Sequence, residues 1–321
     1  MKALKKFVRW TILLIFLLSI IPYFIPVPDS VLSIHDLKSP SSRFIKLGDV
    51  TIHYHHYPHP DPKGTVVFIH GFGGSLFSFR DNAEPFLAEN LEVVLIDLPG
   101  FGLSERTLKA DYSHLGRAQL LYAFGQELGL AHPVHWVGHS MGGSILSWLP
   151  TIDSQAAASL TLVAAPFSVQ PSSNWTWLIE KYPPVWRYLK IGLPRFITEE
   201  RVGNLLRSAY GRPLSDYEIR GYLNPLLVEN NHYTFIGLTR DRTVTYPDFE
   251  SIQVPVLLLW GEDDTWVPAT EAPHWHRMLP QSRIQYIPLA GHNPMETHTD
   301  IFNEILIEFF QDPLMNTRSS P

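Results

Sequence analysis

Ser140 stands in Gly138-His139-Ser140-Met141-Gly142-Gly143, directly after the apolar run Val134–Val137 and before a helix-compatible stretch. A G-x-S-x-G sequence between a strand and a helix makes a very tight turn. The positions flanking the serine must be nearly free of side chain there, which glycine at 138 and 142 supplies. Such a turn lifts the Ser140 hydroxyl above a sheet, at a helix N-terminus, where the Met141 backbone N–H faces a developing oxyanion. The bland alternative is a glycine-rich turn with an incidental serine; the strand before and the helix after favour chemistry.

A serine hydroxyl is a weak nucleophile at neutral pH and needs a base. The chain has 15 histidines, so abundance selects none. His292 is set apart by its context, Leu289-Ala290-Gly291-His292-Asn293-Pro294, after the last strand-like run and before a helix at about 299–310. An acid that orients this histidine belongs between Ser140 and His292 in the order serine, acid, histidine. Trp260-Gly261-Glu262-Asp263-Asp264-Thr265-Trp266-Val267-Pro268 follows an apolar run and offers three carboxylates. Asp264 is the expected acid and Asp263 the alternative.

His70-Gly71-Phe72-Gly73-Gly74 follows the run Thr65–Ile69. A loop of small residues there brings a second N–H, that of Phe72, to the oxyanion beside Met141. His70 reads as an orienting residue of that loop. Asp97-Leu98-Pro99-Gly100-Phe101-Gly102-Leu103-Ser104 reads as a structural loop with Ser104 a decoy, because glutamate at 105 breaks any dinucleotide fingerprint.

These loops need strands to hold them. Runs of strand length occur at 65–69, 92–96, 134–137, 160–164, 256–260 and 284–287, near-continuously apolar as suits a sheet buried on both faces. Arg43–Tyr57 alternates around Gly48-Asp49 and predicts a hairpin. Helix-compatible stretches at 114–128 and 141–149 lie between strands, giving the β-α-β alternation of an α/β fold with a mainly parallel sheet. The alternation stops at Phe167 and resumes after about Asp248. An insertion of that length is too long for a bare loop and predicts a helical cap.

Together the four motifs, in this order, resemble the α/β-hydrolase superfamily, in its cap-bearing serine esterase and lipase branch. The resemblance spans about Arg43 to Phe310. It implies a mostly parallel eight-stranded sheet flanked by helices, a cap inserted after the sixth strand, and a triad of Ser140, Asp264 and His292. It leaves open carbon–carbon bond hydrolysis or perhydrolysis by the same triad. Haloalkane dehalogenases and epoxide hydrolases look similar but place aspartate where this chain has Ser140.

The domains expected are a membrane anchor or signal at 1–28, a linker at 29–42, a core at 43–166 and 249–311, a cap at 167–248 and a flexible tail at 312–321. Lys2, Lys5, Lys6 and Arg9 precede the apolar run Trp10–Val27. This order predicts a single-pass anchor with a cytoplasmic N-terminus and the catalytic domain on the other side. The alternatives are secretion after signal cleavage, disfavoured by the lack of an A-x-A-like site, and an interfacial helix.

A net charge of −6 excludes nucleic acid as the main partner. With no cysteine in the chain, thiolate catalysis and cysteine-held zinc are excluded. No cofactor and no metal is expected. Cap aromatics Trp175, Trp177, Tyr182, Trp186, Tyr188 and Phe196 line an acyl pocket or form the cap's own core. Six basic residues and two acids lie in residues 186–212, which suits a membrane interface or an anionic substrate group. The expected substrate is a lipid-derived or other apolar ester, cleaved through an acyl-enzyme on Ser140. The rival class is a ligand-binding protein on a hydrolase fold. Asn174-Trp175-Thr176 matches a glycosylation acceptor.

Overall fold

The computed structural model describes residues 1–167, 181–239 and 245–312. Trp175, Trp177 and the Asn174 acceptor lie outside these residues, as does nearly all of the expected tail. The apolar runs become the strands of one eight-stranded sheet: β1 (Arg43–Leu47), β2 (Val50–Tyr57), β3 (Gly64–Ile69), β4 (Leu91–Ile96), β5 (Val134–His139), β6 (Ser159–Val163), β7 (Val256–Gly261) and β8 (Arg283–Ile287). Their order across the sheet is β1-β2-β4-β3-β5-β6-β7-β8. The first hairpin runs antiparallel, with β2 joined to β4 through Tyr54 opposite Ile96. From β4 onward every neighbouring pair is parallel.

Successive side chains of a strand point to opposite faces, so each strand feeds two cores. On one face Ile69, Trp136 and Leu258 pack with Leu121 and Phe124 of the helix His114–Leu128. On the other, Phe68, Val137 and Leu259 pack with Phe302, Leu306 and Phe310 of the helix Thr299–Gln311. This two-sided burial explains why the central strands carry no polar alternation.

The stretch expected to be helical over 141–149 divides into Met141–Leu146 and Leu149–Ile152. Pro150 is the reason. Inside a continuous helix it would have no N–H for the Leu146 carbonyl and its ring would clash there; at the second residue of a new helix it costs nothing.

Between β6 and β7 the described helices are Pro183–Phe196, Glu199–Tyr210, Asp216–Leu226 and Asn231–Leu238. Val202, Leu206, Tyr222 and Leu223 give them a core of their own. They roof a cavity whose floor is the Ser140 turn, and are called cap helices below. The segment read as a linker is tied down: Leu32 bridges to Val228, with paired backbone hydrogen bonds at 3.0 Å.

The helix Lys2–Phe24 contains an 18-residue stretch of mean hydropathy 2.0 and is long and apolar enough to cross a membrane. It is almost wholly exposed, Tyr23 and Phe24 included, but Pro22 near its C-terminal end is buried and the backbone there is hydrogen-bonded. Tyr188 Oη donates to the Leu18 carbonyl at 2.8 Å, and Arg187 donates to Pro22 and Ile25 carbonyls at 3.0 and 2.7 Å. Arg195 reaches the Pro26 carbonyl at 3.1 Å, and the Ser19 and Tyr182 hydroxyls are hydrogen-bonded. The last carbonyls of a helix lack partners within it, and cations there also complement its dipole. One face of the first cap helix supplies both.

Candidate active site

Ser140 sits between β5 and the helix Met141–Leu146 with φ 52° and ψ −122°, a conformation costly for a residue with a side chain. Its N–H is held by the Val163 carbonyl of β6 at 2.7 Å. A Cβ on Gly138 would lie 2.6 Å from the Gly142 backbone, and one on Gly142 would lie 2.6 Å from the His70 carbonyl oxygen. The turn therefore admits no side chain at either position.

The two neighbouring acids separate cleanly. Asp263 is exposed, whereas Asp264 is buried with its Oδ2 2.8 Å from His292 Nδ1. Asp264 Oδ1 accepts the backbone N–H groups of Trp266 and Val267 at 2.8 and 2.9 Å. Both carboxylate oxygens are thus occupied, and the bond to Nδ1 leaves His292 Nε2 to act as an acceptor. Ser140 and His292 line the same cavity. His139 donates Nε2–H to the His292 carbonyl at 2.9 Å, and its ring lies 4.6 Å from the His292 ring. Burial first, and then the neighbouring His292, hold the His139 ring well below the usual histidine range, so it stays neutral.

The loop 71–74 packs against this turn, where a Cβ on Gly71 would lie 3.0 Å from the Ser140 Cβ. Among the described residues, neither the Phe72 nor the Met141 N–H is taken by a backbone carbonyl. His70 is wholly buried, with Nδ1 donating to the Gly71 carbonyl at 2.7 Å and Nε2 accepting from Leu98 N–H at 3.0 Å. Burial lowers its pKa, which suits this neutral bridging form. Ser104 is buried and donates to the Asp97 carbonyl at 2.6 Å, so its hydroxyl is engaged in holding its own loop.

The cavity measures about 380 Å³, within the usual size of small-ligand sites. Leu193, Leu205, Leu206, Leu226, Phe235 and Leu238 form its apolar wall. Phe196 joins them and is the only one of the four described cap aromatics named above to do so. Tyr182 and Tyr188 instead bind the N-terminal helix, and Trp186 packs edge-on to Tyr233. Ser78, Tyr222 and Asn293 give the lining a polar end. Tyr222 Oη donates to Glu296 at 2.5 Å and bonds Ser78 at 2.9 Å, while Arg80 pairs with Glu296. Neither lysine nor arginine lines the cavity among the described residues.

Sequence reasoning did not single out this polar end, nor a second serine–histidine–aspartate chain. Ser42 Oγ lies 2.8 Å from His53 Nε2, and His53 Nδ1 lies 2.6 Å from Asp97 Oδ2. It lacks the motif and the cavity of the first. Asp97 also accepts from Leu76 and Leu103 N–H groups at 2.7 Å, so this chain fastens loops. Burial favours protonation of Asp97, but the His53 hydrogen bond and charge outweigh it and hold its pKa down.

Residues 66–305 match the alpha/beta hydrolase family. The chain belongs to that family. An uncharacterized hydrolase of Bacillus subtilis, YugF, is 31% identical to it over 280 residues, covering 85% of this hydrolase and 98% of YugF. A 2-hydroxy-6-oxononadienedioate/2-hydroxy-6-oxononatrienedioate hydrolase of Pseudomonas putida is 26% identical over 292 residues, covering 84% and 96%. Among solved structures, a bacterial membrane phospholipase A described as a virulence factor superposes with a TM-score of 0.67 and 21% identity, covering 100% of both chains. The hydrolase thus shares its fold with a membrane enzyme.

Proposed function

We propose that this hydrolase cleaves a carboxylic ester with an apolar, lipid-derived acyl group, through an acyl-enzyme on Ser140. The observation that carries the reading is the buried Asp264–His292 pair beside Ser140 in a cavity walled by leucines. In this reading His292 Nε2 takes the Ser140 proton as Oγ attacks the ester carbonyl. Phe72 and Met141 N–H groups hold the oxyanion, and each such donor is worth about 3 kcal/mol in the transition state. The imidazolium, stabilised by Asp264, returns the proton to the leaving alcohol. Water then attacks the acyl-enzyme with His292 again as base. We read residues 167–248 as the cap that selects the acyl group.

The carbon–carbon alternative rests on the likeness to the P. putida hydrolase, whose named substrates are dicarboxylates. Two carboxylates entering an apolar site need cations or several donors to offset their desolvation. The described cavity wall offers no lysine or arginine, which favours the ester. We further infer that Lys2–Phe24 anchors the hydrolase in a bilayer, with the basic N-terminus in the cytoplasm and the catalytic domain outside. The clamp from Tyr188, Arg187 and Arg195 then sets the cap at headgroup level, beside its lipid substrate.

A panel of esters of increasing acyl length, with Ser140→Ala as the blank, tests the reading. The expected result is Ser140-dependent hydrolysis with an optimum at medium or long chains. Activity that survives Ser140→Ala, or turnover of dienedioates in place of esters, would overturn it.

A further inference from the structure

The loop that carries His292 does not rest on the core alone. Its backbone N–H donates to the Ala209 carbonyl at 2.9 Å, and Ala209 lies in the last turn of the cap helix Glu199–Tyr210. That turn has carbonyls without helical partners, so the bond satisfies both sides. The approach is close: a Cβ on Gly291 would stand 2.5 Å from the same oxygen.

A second tie runs through Trp266. Its indole N–H donates to Ser208 Oγ, next to Ala209, at 2.9 Å. Its ring stacks on the His292 imidazole, with centroids 5.3 Å apart and planes at 29°. Its backbone N–H donates to Asp264 Oδ1 at 2.8 Å. One residue therefore touches the expected acid, the expected base and the cap. The residue is 40% exposed and lines the cavity, so filling a core is not what places it there. The bland reading, in which Trp266 is only a wall for the acyl chain, leaves the Ser208 bond without a purpose.

From these contacts we propose that Trp266 is a positioning residue that couples the seating of the cap helix Glu199–Tyr210 to the alignment of His292. The proposal rests on the serine hydrolase reading above. With the helix seated, the Ala209 carbonyl fixes the loop backbone and the tethered indole fixes the imidazole plane. With the helix lifted, His292 loses its backbone acceptor, Trp266 loses its tether, and the ring is free to leave the line to Ser140. A substrate that seats the helix thus aligns its own base.

The test compares Trp266→Ala, Trp266→Phe and Ser208→Ala on p-nitrophenyl acetate, which is too short to need the acyl wall, and on a long-chain ester. A misplacement of about 1 Å costs about 10²-fold, so Trp266→Ala is expected to lower kcat on both esters by about that factor with little change in KM. Trp266→Phe keeps the stack and loses the bond to Ser208, while Ser208→Ala loses that bond and its own exposed donation to the Leu205 carbonyl; each is expected to lose about fivefold. The double variant is expected to lose no more than Ser208→Ala alone, because the Trp266–Ser208 bond is already gone in that variant. A rise in KM confined to the long ester, with kcat intact, would overturn the proposal and leave Trp266 a wall. Losses that multiply in the double variant would also overturn it.

A readout without substrate separates this from the ester reading. The low-field proton resonance of His292 Nδ1–H, assigned by its loss in His292→Gln, is expected to exchange with water faster in Trp266→Phe and Ser208→Ala than in the wild type. Unchanged exchange in both overturns the coupling. Faster exchange in a protein that hydrolyses no ester upholds the coupling and rejects the ester reading. Should Trp266→Ala fail to fold, the two conservative variants decide.

Discussion

Asp263 and Asp264 are adjacent, chemically identical and differ in everything that matters for catalysis. The Asp264 N–H turns back to the Gly261 carbonyl at 3.3 Å, and its carboxylate is filled by two backbone N–H groups and His292. Asp263 is exposed, and among the described residues its backbone N–H is engaged at the Ala290 carbonyl at 2.9 Å. Asp264→Asn would keep the shape but present the wrong partner to His292 Nδ1, and in a triad that costs about 10⁴-fold in kcat. Asp263→Asn is expected to stay within a few-fold of the wild type. Steady-state kinetics on one ester separates them, and equal losses would contradict the assignment. The candidate residues were legible because motif order narrows each to one short loop. The choice between the two acids was not, since it depends on which way one turn faces. Ser42, His53 and Asp97 escaped notice for a related reason: without a motif, three polar residues on separate segments meet only when the sheet is built.

At the scale of elements, the strands were readable because burial on both faces leaves long apolar runs. The polar residues that those strands do bury carry a consequence for acid stability. His135 on β5 is buried, bonded to Ser159 Oγ at 2.8 Å and stacked on Phe310, and burial pushes its pKa down to about 4. Its unfolded value is near 6.5. Above that pH both states are neutral and the stability is fully present. As pH falls from about 6.5 toward 4 the unfolded chain gains a proton that the folded chain refuses, and stability is lost. His232 is lowered to about 4 by burial, and then by Lys190, and adds to the same window. The thermal midpoint is therefore expected to fall between pH 6.5 and 4.5, and His135→Gln to flatten part of that fall. A midpoint flat across this range would contradict the account. The segment 29–42 shows the limit of reading elements locally: Leu32 pairs with Val228, a partner far along the chain that no local pattern announces.

For the whole molecule, the N-terminal helix and the cap form a continuous contact, and the cap roofs the cavity that holds Ser140 and His292. Removing residues 1–28 takes away the apolar helix and its clamp while leaving the Leu32 bridge, the sheet and both cores in place. The truncated hydrolase is expected to leave the membrane fraction and to keep its kcat on a short soluble ester within about threefold, since it retains every group placed at the chemistry. Its rate on an ester embedded in vesicles is expected to fall by tenfold or more, because the enzyme is no longer concentrated at the lipid surface. Partition and both rates are read on one preparation. Unchanged membrane association would reject the helix as the sole tether. The apolar helix was plain in the sequence, but its docking was not. Arg187, Tyr188 and Arg195 read as a basic, aromatic helix face, and only the fold shows that face meeting the end of the N-terminal helix.

The most direct test of the central claim is to react the intact hydrolase with a fluorophosphonate and map the adduct by peptide mass spectrometry. The structure predicts a single phosphonylated site at Ser140, lost in Ser140→Ala and slowed in His292→Gln. Labelling at Ser42 or Ser104 in its place, or none under conditions that label other serine hydrolases, would contradict it.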